Sequence, residues 1–376
     1  MRLLILTTQD RFFLTHVSER AIFFKKKGWQ VYVAAQLTSE KYKEQIEDLG
    51  FQFYDTRIER KAINPVALMT SFLRVLDIYK KVSPDLCFHL GAKAIFIGTA
   101  ACKCFSKGKI GIINAPIGLG FIYSSNSIKA RVLRPIVDFM YKLTLNPKNS
   151  KVIIENHDDL KYFVSNGAVK QEQIFCIPGA GVCTSVFRPG KKYNTVTVVM
   201  AARLIEEKGV WDYIQVADKL REQGVPVRMQ LVGTPDFGNP TSITEVELEC
   251  IKNNPSIEYL GYQENMQNIF NRAHICCLPS YREGLPRVLV EAASSGMALI
   301  TTDTVGCRET VNGKNGILVP IHGVSEIVDQ IKDYVFHSQK LCQAQNESRL
   351  LALDKFDTKI ICQQTYQVAK LLCQEE

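Results

Sequence analysis

Short, mostly apolar runs of strand length recur along the whole chain, at 3–6, 31–35, 51–54, 85–89, 110–114 and 151–155, and again at 196–200, 229–232, 257–260, 275–278 and 298–302. Between them lie stretches whose apolar residues have helical spacing, such as 66–81, where Leu68, Phe72, Val75, Leu76 and Tyr79 share a face. Alternation of this kind predicts βαβ units, with strands buried on both faces and paired in parallel. Such sheets bind ligands outside the carboxyl ends of their strands. The polar turns that follow the apolar runs are therefore where chemistry is expected.

A chain of 376 residues is too long for one ordinary core and fits two α/β domains. No apolar run approaches the roughly 18 to 20 residues that span a bilayer. The first seven residues are too short for a signal segment and read as a first strand, so a cytoplasmic protein is expected. Twelve cysteines are scattered without a C-x-x-C pair, which predicts small buried hydrophobes rather than a zinc or redox site. Charge is uneven: residues 1–190 hold 27 Lys and Arg against 15 Asp and Glu, whereas 191–376 hold 19 against 23. No nucleic-acid motif or Arg-rich run accompanies the basic half. An anionic membrane surface or a lipid diphosphate is the expected partner, and nucleic acid is not.

The stretch 279–310 concentrates the candidate chemistry. The run 275–278 empties into a polar turn with Glu283, Gly284 and Leu285; a helix is expected from Pro286, with Val288, Leu289 and Ala292 as its apolar stripe and Gly296 as its stop. Seven residues separate Glu283 from Glu291. Carboxylates accept from sugar hydroxyls, and a helix start suits phosphate, so a nucleotide sugar fits both; two glutamates that only decorate a loop and a solvated helix face are the alternative. Arg203 and Lys208 follow the run 196–200 and can clamp a diphosphate, stabilising the charge on a leaving nucleoside diphosphate. Lys208 in an ion pair with a nearby glutamate is the competing reading. Gly233 and Tyr262 follow two further runs at the same expected edge.

In the first half, His16 lies in an amphipathic stretch 13–27 and Lys93 opens a helix after a strand ending in His89. Gly118 and Gly120 flank Leu119 in a turn that permits close backbone approach. Asn156 follows the strand 151–155 in Asn-His-Asp-Asp, where an Asp can cap the next helix. Phe121 to Arg134 combines aromatics with cations, as a basic amphipathic segment at a membrane interface does.

Glu283, Gly284, Pro286 and Glu291, with the Pro-Ser before them and Gly306-Cys307-Arg308-Glu309 after, resemble the paired-glutamate motif of the retaining glycosyltransferases of family 4. The resemblance runs over nearly the whole chain and extends to Arg203 with Lys208-Gly209, to the hinge-like 177–189, and to the lipid-linked-oligosaccharide branch in Phe13-Leu14-Thr15-His16 and Gly118-Leu119-Gly120. Cys183 stands where the family usually has Asp. The resemblance implies a GT-B fold: two Rossmann-like, doubly wound parallel-sheet domains facing a cleft, the acceptor domain at 1–190, the donor domain at 191–355, and a helix at 356–376 crossing back. It implies that Glu283 contacts the donor sugar, that Glu291 binds the ribose, and that Gly284, Leu285, Pro286, Gly233 and Tyr262 hold the rest of the donor. His16, Lys93, Gly118, Gly120 and Asn156 fall on the acceptor side. The implied activity is transfer of a hexose or N-acetylhexosamine from a UDP-sugar to a polyprenyl-diphosphate-linked or other glycan at the inner face of the plasma membrane. No metal or other cofactor is expected, because no Asp-x-Asp pair stands at a strand edge and the cations supply positive charge. A nucleotide-sugar epimerase of the same fold, or a non-enzymatic basic protein binding nucleic acid or membrane, is the alternative function.

Overall fold

The structure is a computed structural model and describes residues 1–59, 64–106, 109–119, 123 and 128–373, without the side chains of 128–130. Chain contacts divide it into two compact units, Met1–Ala180 with Ile361–Glu376, and Gly181–Ile360. The division precedes 190 because Val182 packs with Val290 and Phe356 and bridges to Asp357, which ties the hinge-like segment into the second unit.

The first unit holds β1 (Arg2–Gln9), β2 (Gln30–Gln36), β3 (Gln52–Asp55), β4 (Leu86–Leu90), β5 (Gly111–Ala115), β6 (Ser150–Ile154) and β7 (Ile174–Cys176). They form one parallel sheet in the order β3-β2-β1-β4-β5-β6-β7. Leu3, Leu4, Ile5 and Leu6 are fully buried, as a strand covered on both faces requires. The terminal helix Thr358–Cys373 belongs to this unit from Ile361 onward and buries Ile361, Val368 and Ala369 among the β1, β4 and β5 side chains. The stretch expected as one helix over 13–27 is two, Asp10–His16 and Ser18–Lys26, parted at Val17, whose backbone (φ −125°, ψ −24°) leaves the helical region.

The second unit holds β8 (Val196–Ala201), β9 (Val227–Val232), β10 (Glu258–Gly261), β11 (Ile275–Leu278), β12 (Ala298–Thr302) and β13 (Gly316–Val319), parallel throughout, in the order β10-β9-β8-β11-β12-β13. Connections run outward from β8 to one side and from β11 to the other. The order of strands therefore reverses between β8 and β11, and the crevice outside their carboxyl ends is the place a ligand enters a sheet of this type. In the first unit the reversal lies between β1 and β4. The twelve cysteines form no disulfide among the described residues; Cys276 and Cys277 are buried in β11 as expected, whereas Cys104, Cys183, Cys250 and Cys342 are exposed.

Candidate functional site

The β8/β11 reversal carries the residues singled out in the second half of the chain. β8 leads through Arg203 to a single 3₁₀ turn, Glu206–Lys208, and β11 leads through Pro279 and Ser280 to Glu283. There the Lys208 ammonium pairs with Glu283 Oε1, both side chains largely buried at 18% and 13% exposure. Ser280, fully buried, donates its hydroxyl to the same Oε1 at 2.8 Å. The backbone fixes the arrangement: Tyr281 N donates to Glu207 O at 2.9 Å and Glu283 N to Val305 O at 3.1 Å. The pairing of Lys208 with a glutamate thus holds, and the glutamate is the one from the 279–310 stretch, so the pair sits at the ligand edge of the sheet rather than apart from it.

Arg203 goes elsewhere. Its guanidinium donates to Asp236 Oδ2 at 2.7 Å and is 54% exposed, so the two cations have separate carboxylate partners and form no joint clamp as they stand. Glu291 lies on the helix Arg287–Ser294, only 12% exposed, and takes a 2.7 Å bond from Arg287 one turn before it. It does not sit on a solvated face. Burial raises its pKa, and Arg287 works against that. Pro286 is the N-cap rather than a residue of the first turn, and no side chain caps this helix start. Leu289, Ala292 and Ala293 form the buried stripe, with Val288 only partly covered, and Leu285 packs beside Val182 and Phe356.

Close backbone approach sets the shape of the edge. Gly233 follows β9 at φ +130°, and a Cβ there would lie 1.8 Å from Ala202 O. Gly306 follows β12 at φ +79°, and its Cβ would lie 2.4 Å from Gly284 O and 2.6 Å from Glu283 O. Only glycine admits these contacts. Tyr262, by contrast, is 65% exposed beyond the end of the edge strand β10. Sequence reasoning missed the hydroxyl ladder beneath the motif: Thr302 donates to Ser280 O, Thr304 to the same oxygen at 3.3 Å, and Thr301 to Leu278 O at 2.6 Å. A run of threonines at the end of a buried strand was the available signal.

The first-unit candidates divide. His16 stacks on Phe12 with ring centroids 4.5 Å apart, and its Nδ1 lies 2.7 Å from the Thr15 hydroxyl. Lys93 donates to Glu59 O at 2.7 Å, and partial burial lowers its pKa. Gly118 has φ +57°, while Gly120 and the neighbouring Phe121 and Ile122 lie outside the described residues. Asn156 is fully buried and is itself the cap of the helix His157–Ser165: its Oδ1 accepts from Asp159 N at 2.8 Å, and its amide donates to Asp159 Oδ2 at 3.0 Å. The cap is the Asn, where an Asp was expected, because Asn156 stands at the position before the first turn.

His89, read from the sequence as the carboxyl end of its strand, is instead internal. Its ring is wholly buried between the Tyr79 hydroxyl at 2.7 Å and Asn114 Oδ1 at 2.8 Å, since its position in β4 points it under the helices that cover the sheet. Burial pushes its pKa down from 6.5 to about 4. Unfolded, this histidine takes up a proton below pH 6.5; folded, it does so only near 4. The unfolded state therefore binds more protons in that window, and stability is lost as pH falls through it. The loss is on the order of 2–3 kcal/mol. In urea unfolding at about pH 7 and about pH 4.5, the wild type should lose that much more than His89→Gln. Equal losses would contradict a neutral buried His89.

Among the described residues no group of three or more His, Cys, Asp or Glu side chains forms a cation site, and no helix is long and apolar enough to cross a membrane.

The chain matches the family model described as Glycosyl transferase 4-like over residues 2–156 and that described as Glycosyl transferases group 1 over 195–335. It is 25% identical over 308 residues to the N,N'-diacetylbacillosaminyl-diphospho-undecaprenol alpha-1,3-N-acetylgalactosaminyltransferase of Campylobacter jejuni, with 78% of each chain covered. It is 24% identical to the capsular polysaccharide biosynthesis glycosyltransferase CapM of Staphylococcus aureus, over 90% of this chain and 89% of that one. Of solved structures, sucrose-phosphate synthase from Thermosynechococcus elongatus superposes with a TM-score of 0.81 at 14% identity over all of both chains. HepE from Anabaena in complex with UDP and glucose gives 0.76 at 17% identity, covering 98% and 99%. At such identities the likeness is one of fold, and the fold is GT-B.

Proposed function

This chain belongs to the family-4-like glycosyltransferases of GT-B fold, and from that premise we propose that it moves a hexose or N-acetylhexosamine, with retained anomeric configuration, from a UDP-sugar to a polyprenyl-diphosphate-linked glycan. The acceptor class follows the relatives: one is named for a diphospho-undecaprenol-linked substrate and another for capsular polysaccharide. The observation that carries the reading is the largely buried Lys208–Glu283 pair at the strand-order reversal.

A departing nucleoside diphosphate gathers negative charge as the bond to the anomeric carbon breaks. A cation already held and largely desolvated stabilises that charge without reorganising. Lys208 is such a cation. Glu283, on the same spot, accepts from a hydroxyl of the donor sugar while keeping the ammonium in place. Arg203 leaves Asp236, a surface partner worth about 0–1 kcal/mol, for the diphosphate. Glu291 accepts from the ribose hydroxyls, with Arg287 beside it opposing the rise in pKa that burial causes. With positive charge supplied this way the transfer needs no metal.

Thermal unfolding in the presence of UDP, GDP or ADP, each with excess EDTA, tests the reading. UDP alone should raise Tm, and Arg203→Ala should remove the rise. No response to any nucleotide would sink the assignment.

The enzyme works at the inner face of the plasma membrane through the helix Ile128–Leu145. Val132, Ile136, Phe139 and Leu143 recur at helical spacing and are all exposed, Phe139 by 61%, with Arg131 and Lys142 exposed on the same helix. An exposed apolar stripe flanked by cations on a basic half-chain matches an anionic bilayer surface. Co-sedimentation with phosphatidylglycerol vesicles should fall about tenfold in the double variant I136E/F139E, while phosphatidylcholine vesicles bind neither protein. Undiminished binding of the variant would place the contact elsewhere.

A further inference from the structure

The turn that follows β13 has a costly backbone. Gly323 N donates to Pro320 O at 3.0 Å and closes a four-residue turn whose third residue, His322, stands at φ +62°. That place favours glycine or asparagine, and a histidine there persists only where its surroundings hold it. The surroundings do. Nδ1 lies 3.1 and 3.2 Å from the two carboxylate oxygens of Asp212, which is buried, and the ring meets that of Tyr281 edge to face with centroids 4.9 Å apart. Set against a carboxylate, which only accepts, Nδ1 carries a proton and donates to Asp212. The Tyr281 hydroxyl, 3.4 Å from the same nitrogen, shares that carboxylate, and burial together with Asp212 raises its pKa.

These three side chains come from three segments, two of which carry the Lys208–Glu283 pair. Asp212 lies in the first turn of the helix Val210–Glu222, four residues beyond Lys208, and Tyr281 lies two residues before Glu283. Backbone contacts already join the two segments. Glu207 O accepts from Tyr281 N at 2.9 Å and from the Ser280 hydroxyl at 3.0 Å, and a Cβ on Gly209 would lie 2.1 Å from Pro279 O. His322 adds a side-chain clasp from outside, with the aspartate of one segment and the tyrosine of the other both against its ring. The fold does not require a histidine for this turn, since glycine would make it at lower cost.

We propose that His322, acting with Asp212 and Tyr281, is a positioning residue of the donor site: it clasps the turn after β11 to the segment after β8 and so keeps Glu283 against Lys208. The inference rests on the reading of that pair as the place where the donor's diphosphate is met, and it goes further by assigning the restraint that holds the pair in register. A charged pair fixed in place stabilises new charge without moving, and a displacement of about 1 Å forfeits much of that effect. The strained backbone at His322 is thus tied to the site through Tyr281, although the histidine itself touches neither Lys208 nor Glu283.

The test uses the full-length protein and two variants, with UDP in excess EDTA as the ligand. His322→Gly deletes the clasp and relaxes the turn, whereas His322→Asn tolerates the same backbone and can set its amide nitrogen where Nδ1 stands. In His322→Gly the amides of Tyr281 and Glu283 should exchange hydrogen about tenfold faster, and the calorimetric Kd for UDP should rise about tenfold. Tm should stay within about 2 °C of wild type, because relieved strain offsets the lost contacts. His322→Asn should recover most of both changes. Exchange at Tyr281 and Glu283 within about twofold of wild type in His322→Gly, or a UDP Kd within about twofold despite faster exchange, would overturn the inference. So would a Tm lower by more than about 5 °C, which would make the cluster a support of the whole unit. A wild type that binds no UDP, with the exchange effect and its rescue by asparagine intact, would instead remove the nucleotide reading and leave the clasp standing.

Discussion

Lys208→Met should lower kcat for sugar transfer about 10²- to 10³-fold, the usual effect of removing one preorganised stabiliser of charge in the transition state. The methionine keeps the stem's packing and deletes only the ammonium. Nucleoside diphosphate binding should weaken as well, since part of the same attraction is present before the bond breaks. The pair geometry adds a second expectation. Glu283 Oε1 receives both Lys208 and the Ser280 hydroxyl. Without the ammonium, a carboxylate of 13% exposure keeps one neutral donor, and stability should drop by about 1–3 kcal/mol. Adding Glu283→Gln to Lys208→Met should restore most of that stability and none of the transfer. Steady-state kinetics beside urea unfolding separates the two effects. A single variant with kcat within threefold of wild type would mean that the ammonium does not face the leaving group.

Gly306→Ala should damage the same site from behind. Its φ of +79° disfavours any side chain, and the added Cβ would meet the carbonyl oxygens of Glu283 and Gly284 at 2.6 and 2.4 Å. Both atoms are backbone, so relief requires moving the turn. Strain of this kind costs about 1–3 kcal/mol. A displacement of the Glu283 peptide by about 1 Å should reduce kcat/KM roughly 10²-fold. Alanine at Gly313, which has φ +80° and nothing within 4 Å of its added Cβ, is the control: similar backbone strain, with transfer retained. Wild-type kinetics for Gly306→Ala would show that the turn yields without disturbing Glu283.

The strands were legible because parallel strands covered on both faces must be continuous apolar runs, and the runs at 275–278 and 298–302 coincide with β11 and β12. The helix Val324–Phe336 was readable for the same kind of reason, its apolar residues recurring with the helical period that strands lack. Short and polar elements were not: β7, the helix His157–Ser165 and the helix Glu245–Lys252 carry too few apolar positions to show a period. His89 misled because a strand's carboxyl end and its buried interior differ by one residue of register, which periodicity does not resolve.

In the candidate site, spacing alone put Lys208 and Glu283 after two separate strands, and composition made them a diphosphate cation and a hydroxyl acceptor. Whether they met was decided by strand order, a property of the whole sheet: β8 and β11 are neighbours only because the connections between them carry β9 and β10 to the other side. Tertiary packing also chose the partners. Arg203 found Asp236, Glu291 found Arg287, and His322 came to face Asp212 from an element more than a hundred residues distant in sequence. A sequence specifies which segments must be buried, because burial follows local pattern. Which charges then share a small volume depends on contacts between segments far apart in the chain, and those exist only once the sheets have closed.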